Sequence, residues 1–209
     1  MENPVKYGGV VRRPYFANRR NEIKELKREM ANLNRVFLVS PRRFGKTCLL
    51  FNLIETLKRN TIACAYIDLN AFPDISSFAG ALTGLTAQAL ETNKDKLLKM
   101  FSGFQKLRPK VSVDADGKIS AGVELATEEK EAIAALLEGM RHDERLAIKK
   151  KKKLVVIIDE FSDLEKYKGQ SIEKAIRSEI QQQTHIGYIF SGSEQSVMRA
   201  MFRDRKRAF

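Results

Sequence analysis

Residues 40–47 read SPRRFGKT and combine features that are suited to bind a phosphate group. The apolar run RVFLV precedes them and a segment with helical periodicity follows, which predicts a loop between a buried strand and a helix. Phosphates bind at such places to backbone N–H groups, to the positive end of the helix dipole and to a lysine. The stretch fits the pattern G-x-x-x-x-G-K-[ST] at every position except the first, where Ser40 replaces glycine. We therefore predict a phosphate-binding loop.

This prediction gives a role to each residue of the loop. Gly45 is expected to let the backbone approach the ligand, Lys46 to neutralise phosphate charge as a catalytic residue, and the Thr47 hydroxyl to bind a divalent cation. The residues predicted to contact the ligand are Ser40, Pro41, Arg42, Arg43, Phe44, Gly45, Lys46, Thr47 and Cys48.

A second motif, LVVIIDE, lies more than a hundred residues later and ends in Asp159 and Glu160. The apolar run predicts a fully buried strand, and ligands of open α/β sheets collect at the carboxyl ends of the strands. A carboxylate there can hold Mg²⁺ together with Thr47, usually through water, and the next carboxylate can deprotonate an attacking water. We therefore predict Thr47 and Asp159 as metal ligands and Glu160 as the catalytic base.

A third apolar run, IGYIF, leads into Ser191 and Ser193 at the same predicted edge. Either hydroxyl is a candidate catalytic group that senses the terminal phosphate or positions water. Because serine also favours the first position of a helix, a capping role for the helix predicted from Glu194 remains equally open.

Strands that alternate with helices predict a parallel sheet between two helical layers. The helix near residue 21 is expected to be capped by Asn21, and the helix that follows the second strand by Asp74 or Ser76. A turn sequence, DADG, predicts a β-hairpin inserted at about 105–125. The central strands are predicted at 35–40, 61–69, 154–158 and 186–192.

Composition narrows the remaining possibilities. The 209 residues are 43% hydrophobic and 31% charged, which is typical of one folded globular domain. Only two cysteines and two histidines occur, which argues against a disulfide framework and a cysteine or histidine metal cluster. No apolar run is long enough to span a membrane and no signal sequence is evident, so we expect a cytoplasmic protein without a membrane partner.

The segments YFANRRNEI, SPRRFGKTCLL, LVVIIDEFSDLE and IGYIFSGSEQSVM together resemble the archaeal-type AAA+ ATPases, relatives of the STAND NTPases. The resemblance implies a three-layer α/β P-loop NTPase of the ASCE/AAA+ type, with ATP and Mg²⁺ as cofactors and SPRRFGKT and LVVIIDE as its Walker A and Walker B motifs. It also implies that Phe16 and Arg19, with Glu22 nearby, help to hold the base and ribose; Asn18 stands where the family usually has glycine.

In that family the pattern continues past residue 209 with a fifth strand and a helical lid. Residues 1–209 are therefore expected to be an AAA+ core domain that is incomplete at its C-terminus. AAA+ proteins often form homo-oligomers in which an arginine reaches the neighbour's nucleotide. The candidates here are Arg199, Arg203, Arg205 and Arg207.

Two alternatives to an ATP-hydrolysing enzyme stay open. The nucleotide can act as a conformational switch with little turnover. The protein can also be a nucleic-acid-binding module, because the formal net charge is +12 and five consecutive lysines occupy 149–153. No recognition-helix motif supports the nucleic-acid alternative.

Overall fold

The computed structural model describes Phe16, residues 19–90, 108–113, 119–124, 129–167 and 170–195, and Met198. Its helices are α1 (Arg20–Ala31), α2 (Lys46–Lys58), α3 (Ile75–Leu90), α4 (Glu129–Lys150) and α5 (Gln170–Ile180). Its strands are β1 (Arg35–Val39), β2 (Ala63–Asp68), β3 (Arg108–Val113), β4 (Ile119–Glu124), β5 (Leu154–Asp159) and β6 (Ile186–Gly192). Two 3₁₀ segments, Leu69–Ala71 and Phe161–Tyr167, follow β2 and β5.

Four strands form a parallel sheet in the order β1-β6-β5-β2. Every residue of β5 and β6 is buried, as expected for central strands covered on both faces. The four predicted strands are confirmed, with bounds that differ by no more than two residues. All four strands run in one direction, so their carboxyl ends meet at one edge of the sheet.

Two apolar layers cover the sheet. On one face α1 and α2 pack against Val155 and Ile157 of β5, and on the other face α3, α4 and α5 pack against Val156 and Ile158. Neighbouring residues of β5 thus point to opposite layers, as strand geometry requires. Each fully buried aliphatic side chain contributes about 1.5–3 kcal/mol of burial free energy. The predicted three-layer α/β architecture is confirmed.

The inserted hairpin is also present. Strands β3 and β4 pair antiparallel from Arg108↔Glu124 to Val113↔Ile119, within the predicted range of 105–125. Its predicted turn, DADG, lies outside the described residues, as do the residues of the predicted last helix beyond Met198 and the four arginines that are finger candidates. The part of the chain that is described contains no helix with both the length and the apolar character of a membrane span.

The two predicted helix starts have different outcomes. Asp74 caps α3, because its carboxylate accepts hydrogen bonds from the Ser77 backbone N–H at 2.8 Å and from the Ser77 hydroxyl at 3.0 Å. The prediction for Asn21 is wrong: α1 begins at Arg20, with Arg19 in the capping position, so Asn21 lies inside the helix. The Arg19 side chain contacts the phosphate loop, and this tertiary contact places the start of α1 ahead of the expected cap.

Basic side chains near the amino ends of two strands bind the carbonyl ends of neighbouring helices. Lys152 donates to the last carbonyl of α3 at 3.2 Å, and Lys153 to that of α1 at 2.5 Å. Arg35, the first residue of β1, donates to the last carbonyl of α5. Because the C-terminal end of a helix carries partial negative charge, these contacts stabilise the amino edge of the sheet.

Candidate functional site

The SPRRFGKT loop connects the end of β1 to the first turn of α2 at the carboxyl edge of the sheet. The Ser40 backbone N–H donates to the carbonyl of Gly192 at the end of β6, with a distance of 3.3 Å. Ser40 is nearly buried. The small side chain that replaces glycine therefore fits between the loop and β6.

Two residues of the loop have left-handed backbone conformations, Arg43 with φ 68° and Gly45 with φ 71°. This conformation is strained for a residue with a Cβ atom, so Gly45 matches its position. Its carbonyl accepts the first helical hydrogen bond of α2, from Leu49 at 2.9 Å. The N–H groups of the next residues belong to the first turn, where an α-helix provides no internal acceptor.

A cavity of about 540 Å³ lies beside this turn. It is lined by Pro41, Arg42, Arg43, Gly45, Lys46, Thr47 and Cys48 from the predicted loop, and by Asn70, Glu160, Asp163 and Lys166. A larger groove of about 830 Å³ lies beside β2, between α2 and α3, but neither the loop nor Glu160 belongs to its lining. The smaller cavity is therefore the candidate site.

Lys46 joins the two motifs. Its Nζ atom lies 3.0 Å from Asp159 Oδ1 and 2.8 Å from Glu160 Oε1. Only 6% of the Lys46 side chain is exposed, and 3% of the Asp159 side chain. Lys46, in the wall of the cavity, is therefore a shielded cation between two carboxylates, and electrostatic interactions at such a place are stronger than in water.

Asp159 is held by donors on both carboxylate oxygens. Oδ2 accepts from Tyr66 at 3.0 Å and from Thr47 at 3.4 Å, while Oδ1 accepts from the Ser191 hydroxyl and, at 3.0 Å, from the Glu160 N–H. Burial raises the pKa of Asp159, but the Ser191 hydrogen bond and the Lys46 charge outweigh it and lower the pKa below its usual value. Asp159 is therefore ionised at neutral pH.

Glu160 follows β5 with a left-handed backbone, φ 49°. One carboxylate oxygen contacts Lys46, and the other accepts from the Ser193 hydroxyl at 2.8 Å and from the Ser193 N–H at 3.2 Å. Strained backbone conformations of this kind collect at functional sites. Both predicted serines thus contact acidic residues of the site, Ser191 through Asp159 and Ser193 through Glu160.

The oxygen atoms present suit a hard divalent cation. Thr47 and Asp159 approach each other as predicted, and among the described residues no group of three or more His, Cys, Asp or Glu side chains forms a complete metal cage. Mg²⁺ commonly takes one or two protein oxygens and completes its shell with waters and phosphate oxygens. The donor set therefore fits Mg²⁺ that is bound together with a phosphate ligand.

Of the residues expected to hold the base and ribose, Arg19 contacts the loop directly. Arg19 donates to the Phe44 carbonyl at 3.1 Å and forms two hydrogen bonds with Glu22, at 2.6 and 2.7 Å. The Arg19 hydrogen bonds lower the pKa of Glu22. Phe16 packs against the apolar layer of α1 and α2, and the Phe44 side chain is 68% exposed. Asn18 is outside the described residues.

Sequence reasoning missed four polar residues near the site, namely Tyr66, Asn70, Asp163 and Lys166. Lys166 donates to Asp163 at 2.6 Å and to Asn70 at 3.1 Å, which links the segments after β5 and β2. One signal for Tyr66 was available, because a strand period of two places it on the same face as Asp68 at the end of β2.

A family model described as an ATPase domain predominantly from Archaea matches residues 16–208. The chain belongs to this family. The finding confirms the resemblance to archaeal-type AAA+ ATPases, and an ATPase-type function with nucleotide binding follows from membership. No curated protein matches the sequence of this ATPase.

Solved structures confirm the P-loop ATPase fold. A Walker-type ATPase of Pyrococcus abyssi, PABY2304, has a TM-score of 0.58 and 14% identity, and the match covers 97% of this ATPase and 54% of that chain. The Aeropyrum pernix ORC1 protein, solved in complex with DNA, also has a TM-score of 0.58 and 14% identity, with coverage of 93% and 44%. This ATPase therefore spans about half the length of these similar structures.

Proposed function

We propose that this protein binds ATP with Mg²⁺ in the cavity beside α2 and hydrolyses it, and that the reaction drives a conformational change or acts on a partner. The observation that carries the proposal is the meeting of two motifs that are 112 residues apart, with Thr47 Oγ1 at 3.4 Å from Asp159 Oδ2. Lys46 and Glu160 lie beside this pair and contact each other at 2.8 Å. Each of these residues has the chemistry that phosphoryl transfer requires.

Each residue has a distinct task in this proposal. The first-turn N–H groups of α2 and the Lys46 ammonium bind the phosphate oxygens, while Gly45 lets the backbone come close. Thr47 and Asp159 hold the metal, which supplies positive charge that offsets the charge of the phosphates. Arg19 and Phe16 are proposed to help hold the base and ribose.

Glu160 is proposed to orient the attacking water and to accept its proton. As the water oxygen bonds to phosphorus, the bond to the ADP oxygen breaks and the proton passes to the Glu160 carboxylate. Ser193 donates to that carboxylate and orients it, while Ser191 keeps Asp159 in place. Proton transfer of this kind contributes about 10²–10⁴ to a rate.

One observation favours a second candidate function, a nucleotide-dependent switch with little turnover. Both carboxylate oxygens of Glu160 are already occupied, one by Lys46 and the other by Ser193. These contacts leave one lone pair, on Oε1 beside Lys46, to meet the proton of a water, which favours slow turnover. Bound nucleotide that persists through purification, with negligible steady-state hydrolysis, would favour the switch.

The charge-based proposal of a nucleic-acid module has less support. Lys152 and Lys153 of the lysine run bind helix carbonyls at the amino edge, far along the sheet from the phosphate loop. These two lysine charges therefore stabilise the fold, and no nucleic-acid partner is needed to explain them. Nucleic acid, a homo-oligomer and any other partner remain proposals for the protein as a whole.

Calorimetric titration of ADP in Mg²⁺ tests the proposal with Lys46→Ala and a matched control, Lys58→Ala, at the exposed end of the same helix. We expect Lys46→Ala to weaken binding at least about a hundredfold, because a buried charge-assisted contact to phosphate is lost. Lys58→Ala should bind like the parent. Unchanged ADP affinity in a folded Lys46→Ala variant would sink the assignment.

A further inference from the structure

Tyr66 contacts the predicted metal-binding carboxylate from a neighbouring strand. Its hydroxyl donates to Asp159 Oδ2 at 3.0 Å, and the same oxygen accepts from the Thr47 hydroxyl at 3.4 Å. Oδ2 is therefore the carboxylate oxygen on the side of Thr47, and the hydrogen bond from Tyr66 is the shorter of the two that it accepts. No sequence motif covers Tyr66.

Strand register explains how a residue of β2 reaches the end of β5. The parallel pairing sets Asp68 beside Asp159 and Tyr66 beside Ile157. The backbone of Tyr66 therefore lies two strand positions before that of Asp159. Its long side chain spans that distance along the face that α2 covers. The ring packs against Phe51 of α2, with centroids 4.8 Å apart, which limits where the hydroxyl can lie.

The Tyr66 hydroxyl is the donor in this contact, because an ionised carboxylate can only accept hydrogen bonds. The phenol therefore gives Asp159 one hydrogen bond of defined direction. The opposite oxygen, Oδ1, is meanwhile bound by Lys46 and Ser191.

We infer that Tyr66 is a positioning residue for the divalent metal: it fixes the plane of the Asp159 carboxylate so that Oδ2 faces the Thr47 hydroxyl. The inference rests on the proposed function, and Tyr66 acts through Asp159 without touching nucleotide.

The test removes only the hydroxyl. Tyr66→Phe keeps the ring that packs on Phe51, and ADP binding is measured by calorimetry in EDTA and across a Mg²⁺ titration. We expect unchanged ADP affinity in EDTA and an increase of about tenfold in the Mg²⁺ concentration that gives half of the affinity gain, since one hydrogen bond to a charged group is lost.

Tyr167→Phe is the matched control. Its hydroxyl lies in the segment after β5 but donates to the Phe72 carbonyl at 2.6 Å instead of to a carboxylate. It should lower thermal stability at most slightly and leave the Mg²⁺ midpoint unchanged. Asp159→Asn gives a second check, because adding Tyr66→Phe to it should not shift the midpoint further.

The outcomes separate this inference from the proposed function. A parent protein that binds ADP equally with and without Mg²⁺ contradicts the metal assignment itself. If the parent responds to Mg²⁺ and Tyr66→Phe has the same midpoint, or weakens binding equally in EDTA, the positioning role is overturned. A Tyr66→Phe variant that does not fold would show that the hydroxyl serves folding, and would also overturn it.

Discussion

Removing the cation at Lys46 should destabilise the fold as well as prevent binding. The Lys46 side chain is 6% exposed and its partner Asp159 3% exposed, so Lys46→Met leaves a shielded carboxylate without its charge partner. Breaking a buried pair in this way costs about 3–5 kcal/mol. Asp159 keeps its hydrogen bonds from three hydroxyls and one N–H, so we expect the lower end, about 3 kcal/mol.

The pH dependence of this loss has a definite sign. Contacts in the folded parent lower the pKa of Asp159 below its ordinary value of 3.8. A lowered pKa adds stability above pH 3.8 that disappears as the pH falls through the folded-state pKa. The difference between parent and Lys46→Met should therefore be largest near pH 7 and shrink toward pH 3.

Urea denaturation followed by circular dichroism measures these free energies at several pH values. Asp159→Asn added to Lys46→Met removes the unpaired charge, so the double variant should recover at least half of the lost stability while still failing to bind ADP. Lys58→Met controls for loss of a lysine from α2. A Lys46→Met variant as stable as the parent, or a double variant with no recovery, would refute the buried-pair reasoning.

Three further predictions concern the same molecule. Glu160→Gln should keep ADP affinity and lower steady-state ATP hydrolysis about a hundredfold or more; equal turnover would remove Glu160 as the base. Asp143 is buried between α3 and α4, and burial raises its pKa to about 6. The free energy of unfolding should therefore fall as the pH rises from about 4 to about 6. At pH 7, Asp143→Asn should be more stable than the parent by up to about 3 kcal/mol in urea titrations. A difference that does not depend on pH would contradict the burial effect. Cys48 lines the candidate cavity, so MgADP should slow its alkylation by iodoacetamide at least about tenfold, as read by mass spectrometry; Cys64, whose pKa burial raises to about 12, should react slowly in either condition. Equal Cys48 rates with and without ADP would contradict the assignment.

The sequence predicts the strands and the two principal motifs because each depends on local pattern. LVVIIDE is apolar in every residue before its acids, and SPRRFGKT fixes a loop between strand and helix. For Tyr66 the strand period indicates only the face of β2 on which it lies, since its contact with Asp159 depends on how β2 and β5 align. The same holds for α1, where the contact of Arg19 with the loop outweighs the local capping preference of Asn21.

The two edges of the sheet should differ in how substitutions affect the protein. At the amino edge, hydrogen bonds to helix carbonyls come from Lys152, Lys153 and Arg35, so substitutions there affect folding. Reversing one of these charges would set two negative groups against each other, and cellular abundance of the variant would fall even though the reaction site is intact. A change at Arg42 should instead leave abundance alone and alter activity. A variant library scored separately for these two traits would therefore sort its sensitive positions by sheet edge.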